Sequence, residues 1–171
     1  MHGMHVMAHD TINTLATLAG ARLKARGLKL ASAESCTGGW ISMAVTAVAG
    51  SSDWFERGFV TYANEAKEEM LGVSHATLQT QGAVSEATAR EMAQGAIVHS
   101  HAQVAVAVTG IAGPGGGSDA KPVGMVCIAW AGPGMRLQCE TRQFDGDREQ
   151  VRRKTVIAAL QGIIELLEEP Q

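Results

Sequence analysis

The stretch that decides the fold is QVAVAVTG, Gln103–Gly110. It is apolar without a break from Val104 to Val108 and ends in Thr-Gly. Such a run reads as a central strand covered on both faces, because a strand with one wet face would alternate with polar residues. Working outward, LKLASA (28–33) and ERGFVTY (56–62) read as two earlier strands. VGMVCIAWAG (123–132) and MRLQCETRQF (135–144) read as a hairpin that turns near Gly132-Pro133-Gly134.

Helical periodicity fills the intervals. Asp10 can cap a helix over Thr11–Arg26, with Ile12, Leu15, Ala19 and Leu23 on one face and Gly27 as its stop. GGWISMAVTAVAG (38–50) and the short NEAKEEMLG (64–72), capped by Asn64, read as the next two helices. HATLQTQGAV (75–84) reads as a connecting loop. Ser85 caps a helix running to about His101, with Ala89, Met92, Ala93, Ala96 and Ile97 inward. The last helix lies within 145–169 and buries Val156, Leu160, Ile163, Ile164 and Leu167. Early alternation of strands and helices, followed by antiparallel strands, predicts an α/β fold: a three-layer α/β/α sandwich with a mixed, mostly parallel sheet. The 171 residues read as one domain spanning 10–169, preceded by a flexible segment, 1–9.

Bulk properties exclude several classes. No apolar run approaches the ~20 residues of a membrane span, so no membrane partner is expected. A net charge of −3 leaves no global basic footprint for nucleic acid. Cys36, Cys127 and Cys139 are odd in number and fit no CxxC pattern, which suits a reduced, cytoplasmic protein. His2, His5 and His9 crowd a terminal segment, and His99 and His101 end a predicted helix without a third ligand. Neither group reads as a metal site, and no metal or cofactor is expected. A homodimer is the expected assembly, the commonest for a small soluble domain.

In folds of this class ligands collect beyond the carboxyl ends of strands, and three loops qualify. In the first, SAESCTGGW (32–40), Ser35 falls between a strand and a helix opening at Gly38 and Gly39. A hydroxyl there sits beside free helix-end amides that can stabilise an oxyanion, while glycines leave room for substrate to approach the backbone. The plainer alternative is a helix cap made by Thr37. Cys36 is a rival nucleophile, but no histidine stands near a predicted strand end to activate it. In the second, FVTYANEAK (59–67), Lys67 falls in the first turn of a helix. The dipole and burial would both favour a neutral amine there, able to take a proton from a serine, with Tyr62 orienting it or relaying the proton. The alternative is a solvated lysine paired with Glu68 or Glu69.

The third loop, VTGIAGPGGGSDAKPVG (108–124), places Thr109 and Gly110 just past the central strand, then a run of glycines whose amides can cradle phosphate. It is not a Walker loop: the spacing to Lys121 fails and no Ser or Thr follows that lysine. Arg148, Arg152 and Arg153 crowd the start of the last helix, where acids are favoured. Arg148 and Arg152 share a face and suit bidentate phosphate binding, or else form a solvated basic face.

Taken together, SAESCTGGW, GSSDWFERGFVTYANEAKEEMLGV (50–73), GAVSE (82–86) and the 108–124 loop strongly resemble the CinA C-terminal-domain family, over about Leu15–Leu167. Stand-alone members of that family are nicotinamide-nucleotide amidohydrolases. The resemblance implies deamidation of nicotinamide mononucleotide to nicotinate mononucleotide and ammonia, in pyridine nucleotide recycling, by a Ser–Lys mechanism without metal. It implies Ser35 as nucleophile, Lys67 as general base and Tyr62 as its helper. It also implies Thr109 as a pocket hydroxyl and Arg148 and Arg152 as phosphate ligands. With them go Gly110 and the backbone of Thr37, Gly38 and Gly39 as substrate contacts. Ala63, where relatives often carry serine, departs from the pattern without touching these groups. Two rivals stand beside this reading. One is a non-catalytic nucleotide-binding module linked to competence or DNA damage. The other is a metal-dependent phosphoryl-transfer enzyme using the glycine loop, for which no acidic metal cluster is evident.

Overall fold

Val104, Val106 and Val108 point to one side of the central strand, Ala105 and Ala107 to the other, and all five are fully buried. The two sides therefore differ in depth. Valines, Leu30, Ile128 and Trp130 meet two long helices on the first side. The second side is an alanine floor on which a helix lined with Ala89, Ala93 and Ala96 packs. Strict alternation within an unbroken apolar run thus specifies two unlike cores, each worth about 1.5–3 kcal/mol per large side chain buried.

The computed structural model describes residues 2–168, with side chains from Thr11 onward. Among the described residues the sheet has five strands, β1 (Leu30–Glu34), β2 (Phe55–Val60), β3 (Val104–Gly110), β4 (Met125–Gly132) and β5 (Arg136–Gln143), in the order β2-β1-β3-β4-β5. β1 pairs parallel with β2 and β3, while β3–β4 and β4–β5 are antiparallel. Four strands thus run one way and β4 the other, as the mixed, mostly parallel expectation requires.

Among the same residues six α-helices complete the layers: α1 (His2–Ala25), α2 (Trp40–Thr46), α3 (Asn64–Leu71), α4 (His75–Gln81), α5 (Glu86–Val98) and α6 (Arg148–Glu168). α1, α2 and α6 cover the valine side, and α3, α4 and α5 the alanine side. The chain leaves β1 through α2 to reach β2, then returns through α3–α5 on the opposite face to reach β3. The direction of winding reverses between β1 and β3, which opens a crevice at their carboxyl ends. The β4–β5 turn, with Gly134 and Met135 exposed, lies at the other end of the sheet, where Ala131 pairs with Ala105.

Several boundaries differ from expectation. α1 continues back to His2, so Asp10 lies within it rather than at its cap. The side chains of the expected flexible segment 1–9, with His2, His5 and His9, fall outside the described residues, as does residue 169. α2 ends at Thr46 instead of Gly50, and a short 3-10 turn, Ser51–Asp53, leads into β2. The stretch read as a loop contains α4, a seven-residue helix that buries Leu78 alone and so lacks an apolar stripe to announce it. Ala63, not Asn64, caps α3; Asn64 is its first residue. Ser85 caps α5 as expected, accepting the Thr88 amide. Among the described residues no helix is long and apolar enough to cross a membrane.

Close approach depends on missing side chains at three helical glycines. Trp54 lies against Gly20 and Trp130 against Gly162, the latter also donating its indole N–H to the Ala159 carbonyl. At Gly95 a Cβ would stand 1.9 Å from the Leu71 carbonyl oxygen, at the end of α3. Backbone cannot rotate away as a side chain can. Gly95→Ala is therefore expected to force α3 from α5, costing about 3 kcal/mol and lowering Tm by roughly 6–12 °C, measurable by thermal circular dichroism.

Candidate active site

Ser35 follows β1 directly and is held to β3 by its amide, which donates to the Val108 carbonyl at 3.1 Å. Its side is nearly closed, at 8% exposure. α3 starts four residues beyond β2 and carries Lys67 on its inner side. Lys67 is 1% exposed, and its Nζ lies 3.0 Å from Ser35 Oγ, 3.1 Å from the Thr61 carbonyl oxygen and 3.1 Å from that of Tyr62. The solvated alternative, with Glu68 or Glu69 as partner, fails because the lysine is buried and its amine is taken up by these three oxygens. Burial pushes the Lys67 pKa down from the ordinary lysine value, opposed by the nearby Cys36. Burial was one of the two causes expected from sequence, and here it is the larger effect.

A cavity of about 270 Å³ opens over this pair. Ser35, Lys67, Tyr62, Thr109, Gly110 and Arg148 all line it, with Cys36, Asn64 and the loop residues Gly113, Gly115 and Gly116. The structure thus gathers six of the ten singled-out residues. The Thr109 hydroxyl donates to the Ala83 carbonyl at 2.8 Å, leaving only its oxygen lone pairs for a ligand. Arg148 reaches back from the start of α6, donating to the Gly113 carbonyl at 2.8 Å and to the Tyr62 hydroxyl at 3.2 Å. Burial pushes the Cys36 thiol up to about 12, so it stays protonated at neutral pH and is no rival nucleophile.

Three of the expected roles meet a different set of contacts. Tyr62 is 63% exposed and its hydroxyl meets Arg148; what touches Lys67 is the Tyr62 carbonyl. Tyr62 lies beyond the end of β2, so its side chain leaves the sheet while its backbone stays. Thr37, Gly38, Gly39 and Arg152 line a different cavity, of about 410 Å³, with Trp40, Met43 and Glu149. The turn after Ser35 reverses the chain, carrying Gly38 and Gly39 in left-handed conformations away from the serine. Arg152 holds that turn from outside: it donates to the Cys36 and Thr37 carbonyls at 3.1 Å each and lies over the Trp40 ring.

Sequence reasoning passed over Glu34, which is fully buried at the end of β1. Its carboxylate accepts from the Thr37 hydroxyl at 2.6 Å and the Ile41 amide at 2.8 Å through one oxygen. The other accepts the Ser42 amide at 3.0 Å and hydroxyl at 2.9 Å. Gly39 caps α2 and has no side chain to satisfy the helix-end amides, so Glu34 supplies the acceptor from the strand. An acid just before a helix whose cap position is glycine was the available signal.

The fold and this geometry define an α/β protein with a buried serine–lysine pair under a cavity at the reversal point of its sheet. The chain belongs to the CinA C-terminal domain family, whose model matches residues 12–167. It is 54% identical over 157 residues to the nicotinamide-nucleotide amidohydrolase PncC of Pseudomonas putida, covering 92% of this chain and 98% of that protein. It is 51% identical over 159 residues to the protein of the same name in Escherichia coli K12, covering 91% and 94%. These relatives are hydrolases by name. Among solved structures, the competence/damage inducible protein CihA of Agrobacterium tumefaciens superposes with a TM-score of 0.89 at 49% identity, over 91% of this chain and 95% of that one.

Proposed function

We propose that this protein hydrolyses the carboxamide of nicotinamide mononucleotide, giving nicotinate mononucleotide and ammonia, through an acyl-enzyme on Ser35. The observation that carries the reading is the contact set of Lys67. A neutral amine has two N–H bonds and one lone pair. As the ammonium, Nζ donates to all three oxygens, Ser35 Oγ among them at 3.0 Å; once neutral it keeps its two N–H bonds for the Thr61 and Tyr62 carbonyls, which can only accept, and turns its lone pair to the Ser35 hydroxyl. A lysine that is buried, lowered in pKa and so oriented is a general base for serine.

The steps follow. Lys67 takes the Ser35 proton as Oγ attacks the carboxamide carbon. The amides of Cys36 and Thr37, in the turn directly after Ser35, receive the oxyanion. Gly38 does not contribute as expected from sequence, since its amide donates to the Ser35 carbonyl. Protonated Lys67 returns its proton to the leaving nitrogen, and ammonia departs with cleavage of the C–N bond. Water, deprotonated by Lys67, then cleaves the ester, and the proton goes back to Ser35 Oγ. Arg148 and the amides of the 113–116 loop hold the phosphate. By this reaction the protein serves pyridine nucleotide recycling.

The test is ammonia release from nicotinamide mononucleotide by the purified protein, with the riboside as comparison. Turnover is expected, with KM at least about tenfold higher for the riboside, since a charge-assisted phosphate contact is lost. Binding without turnover would instead leave a nucleotide-binding module.

A further inference from the structure

Glu34 differs from an ordinary buried acid in having every acceptor position used. A carboxylate offers about four lone-pair sites, and four donors occupy them, two on each oxygen. Because the Ser42 hydroxyl donates to Glu34 at 2.9 Å, the Ser32 hydroxyl, also 2.9 Å away, must be the donor in the contact between the two serines. The network is tightly enclosed, for a Cβ on Gly58 would lie 2.3 Å from Ser42 Oγ and 2.9 Å from Ser32 Oγ.

This network borders the nucleophile on both sides in the chain, since Ser35 lies between Glu34 and Thr37. The Thr37 hydroxyl draws its own residue back toward Glu34 and closes the segment Ser35–Thr37 into a turn. The Glu34 backbone carbonyl accepts the Thr61 amide at 2.8 Å, and the Thr61 carbonyl is one of the two acceptors on Lys67. A single residue therefore joins the turn that aims Ser35 Oγ to the strand end that aims Lys67. Since Glu34 lines no cavity described here and is 0% exposed, it acts through its neighbours.

We propose that Glu34 is a positioning residue for the amidase reaction, its four-donor carboxylate setting the direction of Ser35 Oγ and of the Cys36 and Thr37 amides. This inference rests on the serine–lysine reading above. Glutamine has nearly the same shape, but its NH₂ would face donors that cannot all turn away, because two of the four are backbone amides. The mismatch falls on the turn rather than on substrate contacts, so the loss belongs in kcat rather than KM.

The experiment compares wild type with E34Q, T37V and T37S, with rates normalised to the folded fraction measured by circular dichroism. For E34Q, kcat on nicotinamide mononucleotide is expected to fall about 30- to 100-fold, the scale of a small misplacement of reacting groups, with KM changed less than about threefold. Inactivation by phenylmethanesulfonyl fluoride, which reads Ser35 without the substrate, should slow in parallel. T37V removes one donor and should lower kcat about fivefold, while T37S, which keeps the hydroxyl, regains most of the loss. If E34Q does not fold, the T37V and T37S pair decides. Wild-type kcat per folded molecule in E34Q, or in T37V, overturns the positioning role. A wild-type protein that releases no ammonia overturns the amidase reading instead, and the sulfonyl fluoride rates still report on Glu34.

Discussion

Ser35→Ala releases ammonia from nicotinamide mononucleotide about 10⁴- to 10⁶-fold more slowly than wild type, with KM nearly unchanged; that is the expected result if Oγ forms the acyl bond. The size follows from what the substitution removes. Water would have to attack the amide directly, helped only by the cavity and the oxyanion donors, and loss of a nucleophile in serine hydrolases of known mechanism is of this order. Folding should scarcely change, because the Ser35 backbone contacts, its amide to Val108 and its carbonyl to Gly38, survive in alanine. Steady-state ammonia assays on protein checked by circular dichroism decide it. Retention of more than a few per cent of the activity would end the covalent mechanism.

Lys67→Ala is the second large effect, an expected loss of about 10³- to 10⁴-fold in kcat, the upper range for a general base. Lys67→Arg should be equally inactive, since a guanidinium does not deprotonate in this range. The pH profile separates a base from a mere scaffold. Burial lowers the Lys67 pKa below its ordinary value of about 10.4, and only the neutral amine is competent. Wild-type kcat/KM should rise as pH rises through that lowered value and then level off, and this limb should vanish in the residual activity of Lys67→Ala. Stability carries the same signature. Between the folded and unfolded pKa values the unfolded chain binds more protons, so stability rises with pH across that window, and the cost of burying the charge is fully present below the folded value. The difference in Tm between wild type and Lys67→Ala should therefore change across the alkaline side. A limb that persists in the alanine variant would assign the ionisation to another group.

Much of this architecture was legible in the residues, for reasons that separate what was read from what was missed. QVAVAVTG announced a covered strand because both faces of β3 are dry. The hairpin and α6 announced themselves by turn glycines and by a stripe from Val156 to Leu167 that faces the valine side of the sheet. α4 did not, since one buried leucine makes no pattern. The pairing of Ser35 with Lys67 was inferred from two strand ends and a family likeness; that β1 and β2 are neighbours is a matter of topology that no local signal carries. The groups that line the second cavity share one cause. Gly38, Gly39, Arg152 and the Thr37 side chain sit close to Ser35 in the chain or on one helix face with Arg148, but the turn at Gly38 and Gly39 turns them toward that cavity. Glu34 was hidden because a carboxylate at a strand end looks solvated until its four donors are seen.

The turn joining β4 to β5 has a practical consequence. Ser35 and Lys67 lie beyond the carboxyl ends of β1 and β2, whereas Gly134 is exposed at the far end of the eight-residue strand β4, about 25 Å of strand away. A fluorophore, an immobilising tether or the new termini of a circularly permuted chain attached at Gly134 would occupy the pole opposite the chemistry, which makes that turn the natural handle for anchoring the protein while its reaction is watched.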